Sequence, residues 1–119
     1  MDICFEGIGQ VAATFQVEKK DVDGIKPGMA VVLTGDGTVG LGNDGEMPCG
    51  VVLGGVRGGA AAVQIGGVAK VSCSKQENLT AGWQKLACDS EGGVKIAENG
   101  LNCLVLAVDK TEKTAVVKL

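Results

Sequence analysis

The residues of this chain that most suggest chemistry lie in one glycine-rich stretch. Residues 35–45 read GDGTVGLGNDG, which contains the pattern G-x-G-x-x-G twice. In dinucleotide-binding proteins such glycines follow a strand, open a helix and let the backbone approach a pyrophosphate. Here the residues after Gly40 are LGNDGEMPCG, whose glycines and proline oppose a helix, and no G-K-[ST] follows. The stretch therefore predicts tight turns rather than a nucleotide site.

Other candidate groups lack the partners that their chemistry requires. The chain has no histidine, which excludes Ser-His and Cys-His nucleophile pairs and mixed Cys/His zinc sites. The carboxylates Asp36, Asp44 and Glu46 lack the D-x-[DN]-x-[DN]-G spacing of a calcium loop. We therefore predict no catalytic residue, no metal ligand and no cofactor, and we expect that the protein is not an enzyme.

Cysteine spacing favours a packing role over metal binding. None of the five cysteines forms a C-x-x-C pair, and zinc sites favour such close pairs. We expect buried cysteines that act as small apolar side chains, and a four-cysteine metal site is the disfavoured alternative. The five residues are Cys4, Cys49, Cys73, Cys88 and Cys103.

The charge pattern argues against nucleic acid and membrane partners. The net charge is −3, the lysines are scattered and Arg57 is the only arginine, whereas nucleic-acid binding draws on clustered basic residues. The N-terminal residues MDICFEGIGQ carry an acid at position 2 and no basic flank, unlike a secretory signal. Charged residues interrupt the apolar runs well before the roughly 18 residues of a membrane span. We expect a protein made in the cytoplasm.

Short apolar runs between glycine turns predict an all-β fold. Helical apolar periodicity is not evident, whereas β-type runs are bounded by turn signals such as GDG, NDG, RGG, EGG and ENG. Ten strands are predicted, at residues 11–18, 29–34, 38–41, 49–54, 60–65, 67–73, 84–88, 93–97, 102–109 and 114–119.

The order of strands and turns in residues 15–65 recurs in residues 69–119. A shift of 54 residues aligns Cys49 with Cys103, and a one-residue slip improves the middle of the match. This pattern indicates an internal pseudo-two-fold duplication within one small β-barrel or sandwich domain, residues 15–119, because closure removes exposed sheet edges. Matched glycines, expected to adopt positive φ in turns, are Gly28 with Gly82, Gly37 with Gly92, and Gly45 with Gly100.

Residues 1–14 precede the repeat. Their loose apolar pattern is typical of either an N-terminal arm that adds a strand to a neighbour or a plain first strand. A positive mean hydropathy in so short a chain favours subunit contacts. Because buried aromatic side chains dominate interface energy, and Trp83 is the only tryptophan, it is a candidate contact. The predicted interface residues are Ile3, Phe5, Ile8 and Trp83.

Three segments carry a resemblance to a known family. They are KPGMAVVLTGDGTVGLGNDGEMPCGVVLGGV, a G-V-A-K-V strand, and AGWQKLACDSEGGVKIA with the apolar strand that follows it. With this strand and glycine-turn pattern, the chain resembles small head decoration proteins of tailed bacteriophages, also called capsid cement proteins, from about Phe15 to Leu119. The resemblance implies structural turn glycines only, at Gly28, Gly45, Gly50, Gly66 and Gly82.

The same resemblance implies a structural virion protein of a bacteriophage or prophage. Such proteins are compact β-folds, commonly homotrimers, that bind a lattice of major capsid protein and stiffen the shell. The expected location is the host cytoplasm during assembly and then the capsid surface. The alternative is a small β-barrel carrier or binding module similar to biotinyl or lipoyl domains. That alternative needs a lysine at a hairpin tip, and the candidate, Lys95, lies in a predicted strand.

Overall fold

The structure, a computed structural model, describes residues 10–73 and 79–119. The described chain is nearly all β, as predicted, and each of the ten predicted strands overlaps an observed one. The strands are β1 (Val11–Val17), β2 (Ala30–Gly35), β3 (Thr38–Gly40), β4 (Gly50–Val52), β5 (Ala60–Gly66), β6 (Val68–Ser72), β7 (Gly82–Cys88), β8 (Val94–Ile96), β9 (Leu101–Asp109) and β10 (Thr114–Lys118). A 3₁₀ turn, Lys19–Asp21, follows β1. Among these residues no helix has the length and apolar character needed to cross a membrane.

The first five strands form a closed barrel in the order β1-β3-β2-β4-β5. Its neighbouring strands pair antiparallel, except that β1 and β3 pair in parallel and place Val17 opposite Val39. The interior is filled mainly by β-branched side chains, which suit strand backbones. The buried interior residues are Val17, Ile25, Val31, Val39, Val52, Ala61 and Val63.

The last five strands form an open sheet in the order β6-β10-β9-β7-β8. If β6 to β10 are matched in turn with β1 to β5, four of the five barrel pairings recur, all antiparallel. The exception is the closing pair, because β6 and β8, the counterparts of β1 and β3, do not pair. This is the order that an internal duplication produces when one of the two copies stays open.

The wall of the barrel packs against one face of the open sheet and covers it. Strands β2 and β4 are each buried over three successive residues, a pattern typical of strands covered on both faces. Val31 and Val52 pack inside the barrel, whereas Val32 and Val51 belong to the second core, beneath the open sheet. That second core also contains Val71, Leu79, Leu86, Cys88, Cys103, Val105 and Val117.

Backbone hydrogen bonds fasten the two halves together. The Ala30 N–H donates to the Gly92 carbonyl at 2.8 Å, and the Ser72 N–H donates to the Gly28 carbonyl at 2.9 Å. Cys88 exchanges two bonds with the loop between β3 and β4. Because these bonds lie along the junction, the halves form one continuous body.

The predicted N-terminal arm lies partly outside the described residues. Strand β1 begins at Val11, so the last residues of the segment 1–14 belong to a first strand. The predicted interface residues Ile3, Phe5 and Ile8 fall outside the part of the chain that the structure describes.

Candidate functional site

The glycine-rich stretch 35–45 forms two turns around β3. Asp36 and Gly37 connect β2 to β3, with Gly37 at φ 61°. A second turn follows, in which Gly45 has φ 89° and donates its N–H to the Cys88 carbonyl at 2.9 Å. The chain then reaches β4 without a helix. The strand–turn–helix geometry of a dinucleotide fingerprint is therefore not formed by this segment.

Two other glycines of the stretch are required by close packing. A Cβ atom on Gly40 would lie 2.7 Å from Asp21 Oδ2, and one on Gly42 would lie 2.7 Å from Cys88 Sγ. Asp21 is itself buried, and its Oδ2 accepts a hydrogen bond from the Leu41 N–H at 3.1 Å. The stretch thus joins the barrel to the second sheet and turns the chain.

In two of the three matched pairs of turn glycines, both members have positive φ. Gly28 and Gly82 have φ of 87° and 121°, and Gly92, the counterpart of Gly37, has φ of 86°. Gly100 differs from Gly45, because it is not among the residues with positive φ. Instead, a Cβ atom there would lie 2.5 Å from the Leu86 carbonyl oxygen. The expected positive φ is wrong at Gly100, where contact with the β7 backbone excludes a side chain.

Two glycines that the resemblance placed at turns lie in strands. Gly66 ends β5, and the positive φ of 83° belongs to Gly67. Gly50 is the first residue of β4, and a Cβ atom there would overlap the Gln64 carbonyl oxygen of the paired strand β5. Gly50 is therefore constrained by the distance between two strands rather than by its own φ.

The cysteines of the described chain are free thiols in apolar surroundings. Cys73, Cys88 and Cys103 are buried in the second core, and Cys49 is partly exposed. Burial raises the pKa of all four thiols. In residues 10–73 and 79–119, no three His, Cys, Asp or Glu side chains are placed to hold a metal ion. Cys4 lies outside these residues.

Alkaline pH is expected to destabilise the protein through Cys88. Burial, with the nearby charges of Glu46 and Asp89, raises the pKa of Cys88 from 9.0 to about 11. The folded state therefore keeps a proton that the unfolded chain loses, so stability is full below pH 9 and falls between about pH 9 and 11, by about 2 kcal/mol. Urea unfolding under reducing conditions measures this fall. Cys88→Ala should show a smaller fall over the same pH range, and an equal fall would contradict the assignment.

Asp89 organises the loop between β7 and β8. Its Oδ1 accepts hydrogen bonds from the Glu91 N–H at 2.8 Å and the Gly93 N–H at 3.0 Å. The residue is 1% exposed, and its Oδ2 is the one fully enclosed side-chain oxygen without a partner among the described residues. The same loop carries the Gly92 carbonyl that accepts the bond from Ala30. Asp89 therefore stabilises the junction between the halves.

Asp89→Ala is expected to lower the free energy of unfolding by about 2 kcal/mol, because the buried N–H of Gly93 and the partly buried N–H of Glu91 lose their acceptor. Asp89→Asn keeps an acceptor oxygen and should cost less. The matched control is Asp109→Ala, since Asp109 Oδ1 makes the same two kinds of bond, to the Thr111 and Glu112 N–H groups, in an exposed loop. Water can replace that acceptor. Equal losses in urea unfolding at both positions would contradict the role given to burial.

Lys95, the candidate carrier lysine, lies within β8 rather than at a hairpin tip. Its Nζ lies 2.7 Å from Asp44 Oδ1 and 2.8 Å from Asp44 Oδ2, and this ion pair connects the two halves of the chain. The other two carboxylates that we considered and rejected as a calcium loop have separate positions. Asp36 is in the β2–β3 turn, and Glu46 Oε1 accepts a hydrogen bond from the Asn43 N–H at 2.8 Å. Lys95 therefore has a structural partner where a carrier lysine would be presented to solvent.

Trp83 lies on the outer face of the second sheet, where its side chain is 63% exposed. Trp83 pairs with Leu104 across β7 and β9, and Leu104 pairs with Lys118 across β9 and β10. These residues alternate with the buried residues of the same strands, and they belong to neither core. We call this surface the tryptophan face, defined by Trp83, Lys85, Leu104, Val116 and Lys118.

The repeated strand order shows why this face is unusual. In β2 and β4, Val31 and Val52 line the barrel interior, whereas Val32 and Val51 face the second core. In the matched strands β7 and β9, Leu86 and Val105 face that same core, so the tryptophan face takes the position of the barrel interior. The first half closes this face inside a barrel, and the open second half leaves it exposed. Exposed apolar groups with a polar rim are typical of protein interaction sites.

Comparison with protein-family models finds no match for the chain, and comparison with curated proteins also finds none. The tryptophan face is the feature of the described residues on which we base a functional proposal. Sequence reasoning found Trp83 by its rarity, whereas Leu104 and Val116 gave no separate signal because they read as ordinary strand residues.

Proposed function

We propose that this protein is a structural virion protein that binds and stabilises the capsid lattice of a tailed bacteriophage or prophage. The observation that carries the proposal is the exposed side chain of Trp83 on a rigid sheet face. A large aromatic side chain left 63% exposed is costly in water, and it contributes strongly when a partner buries it. The family resemblance of the sequence supports the same conclusion.

The fold suits a protein that must resist deformation. Two cores share the strands β2 and β4, so neither half can move without disturbing the other. A rigid body loses little conformational entropy on binding, which leaves more of the contact energy for affinity. Three copies would form a homotrimer, and many trimers would bind to one shell, each through a modest interface. Together they would hold the lattice through multivalency.

The charge of the tryptophan face indicates the chemistry of its partner. Lys85 and Lys118 lie beside the apolar residues, in a chain whose net charge is −3. A capsid surface with an apolar pocket and carboxylates at its rim would complement this face. Because exposed charges are screened by salt, attachment should slow as ionic strength rises.

Co-sedimentation with capsid shells tests the proposal. The full-length protein is mixed with shells assembled from the major capsid protein of the genome that encodes it, then centrifuged. Light scattering gives its oligomeric state. We expect saturable binding to the shells and an oligomer in solution. A strict monomer that stays in the supernatant at all protein concentrations would overturn the proposal.

A further inference from the structure

Strand β1 closes the barrel along only part of its length. On one side it pairs with β5 from Val11 to Gln16. On the other side it pairs with β3 at two positions only, Gln16 and Val17. Residues 11–15 therefore have a neighbouring strand on the β5 side and, in the part of the chain that the structure describes, none on the β3 side. This side of β1 is an open strand edge.

The alternation of backbone groups along β1 shows which of them face the open edge. The Gln16 N–H donates toward β3, to the Gly37 carbonyl at 2.8 Å, whereas the N–H of the next residue donates to the Gly59 carbonyl, beside β5. Because this direction alternates from residue to residue, the backbone groups of Ala12 and Thr14 point to the same side as those of Gln16. Within residues 10–73 and 79–119, those N–H and C=O groups have no hydrogen-bond partner.

The sequence of this edge lacks the features that normally prevent strand pairing. Natural edge strands are protected by charged residues, by proline or by bulges. Residues 10–17, QVAATFQV, contain no charge and no proline. The register shift of the β1–β5 ladder lies between Val11 and Ala12, at the end of the strand, so the pairing from Ala12 to Gln16 is regular. The residues Val11–Thr14 are all exposed, and no described residue covers either face of this part of β1. The edge is therefore accessible to a second strand.

The same strand of a second copy fits this edge by symmetry. In an antiparallel pair around a two-fold axis at Ala13, Ala12 of one copy lies opposite Thr14 of the other. The backbone groups that both residues direct to the edge then find partners on both copies. The side chains at positions 12, 13 and 14 are small, so none of them keeps the two strands apart.

Charge also favours a second copy over the N-terminal segment of the same chain. Residues 1–9 carry Asp2 and Glu6, for which residues 10–17 supply no basic partner. Two copies of β1 meet without any charge, although the chain as a whole has a net charge of −3. The contact therefore avoids the repulsion between copies that the rest of the acidic chain produces.

We propose that residues 11–15 form a two-fold contact between two copies of this chain, an antiparallel strand pair centred on Ala13. The pairing ends at Gln16 of each copy, where β3 occupies the same edge. So short a strand pair is smaller than the roughly 1,200 Å² of a stable complex, so the contact is weak in dilute solution and forms where copies are concentrated. A two-fold contact is separate from the three-fold contact of a homotrimer, and this inference does not depend on capsid binding.

Cysteine substitution tests the pairing. In the proposed register the two copies of Ala13 form a non-hydrogen-bonded pair, with Cα atoms about 4.5 Å apart, which is within disulfide range. Ala13→Cys is introduced into the full-length protein together with Cys4→Ser, which leaves a single thiol in the N-terminal peptide. After oxidation by air with copper–phenanthroline, we expect a covalent dimer linked through position 13, as mapped by mass spectrometry. The protein with Cys4→Ser alone should not form this link.

Ala12→Cys and Thr14→Cys are the matched controls for the register. Each places a thiol on the same exposed strand, but the two copies of either position are diagonal neighbours about 7–8 Å apart, too far for a disulfide. We expect several-fold lower dimer yields from each variant alone, and a mixed dimer when the two variants are combined. Equal yields at the three positions, a maximum at position 12 or 14, or no disulfide between chains would each overturn the proposal.

Two further substitutions separate loss of the contact from loss of the fold. Thr14→Pro removes an N–H that points to the open edge and takes no part in the ladder with β5, and proline is tolerated at such edge positions. Ala12→Lys leaves the backbone unchanged and adds a charge to the edge. Combined with Ala13→Cys, each should lower the dimer yield several-fold, while circular dichroism shows a folded chain. An unchanged yield in either folded variant would show that β1 is not the contact.

Discussion

Trp83→Ala is expected to weaken binding to capsid shells by about 30-fold or more while leaving the free energy of unfolding nearly unchanged. Truncation of a buried interface tryptophan costs about 2 kcal/mol or more, and 1.4 kcal/mol corresponds to a factor of ten. In the free protein the side chain is 63% exposed and lies outside both cores, so its loss leaves no cavity. The dissociation constant is measured by co-sedimentation, and stability by urea unfolding.

Leu33→Ala is the matched control for this prediction. Leu33 is 59% exposed, at a site away from the tryptophan face, and its removal should leave shell binding unchanged. Because Trp83 is the only tryptophan, its fluorescence reports directly on burial of the face, and a blue shift is expected when shells are added. Shell binding without a blue shift would retain the proposed function but reject this face as the contact. No effect of Trp83→Ala on affinity would lead to the same conclusion.

Gly50→Ala is expected to lower the free energy of unfolding by about 3 kcal/mol, the upper part of the range for overpacked sites. The added methyl group would overlap the Gln64 carbonyl oxygen and approach Val63, both on the paired strand β5. A backbone carbonyl cannot rotate away as a side chain can. The pairing of β4 with β5 must therefore open, and this disturbs both cores because β4 contributes to each. Urea unfolding at neutral pH measures the loss.

Gly54→Ala provides the comparison, four residues further along the chain. Nothing lies within 4 Å of a Cβ atom built at Gly54, and its φ is not positive. There the substitution should be neutral or stabilise by up to about 1 kcal/mol, because alanine lowers the entropy of the unfolded chain. Similar losses at Gly50 and Gly54 would show that the contact with β5 is not the cause.

The strands could be predicted from the sequence because they depend on local properties. Apolar runs such as those around Val31 and Val105 favour extended backbone, and glycines such as Gly37 and Gly92 end them where φ must be positive. Both signals lie within a few residues of the structure that they specify. The repeated order of strands was visible for the same reason, since it follows these local signals. The sequence therefore determined ten strands, their boundaries within about two residues, and a two-part organisation.

Tertiary structure alone decided that the first half closes into a barrel and that the second half stays an open sheet. Whether β1 meets β3, and whether β6 meets β8, depends on which surface fills the open side, and no run of neighbouring residues encodes that. For the same reason Gly50 and Gly100 could not be distinguished from turn glycines, because contacts with distant backbone constrain them. The exposure of Trp83 was also hidden, since a tryptophan in a strand reads the same on either face. The sequence by itself determined the strands and turns of this protein, and packing between its halves decided which face remains available to a partner.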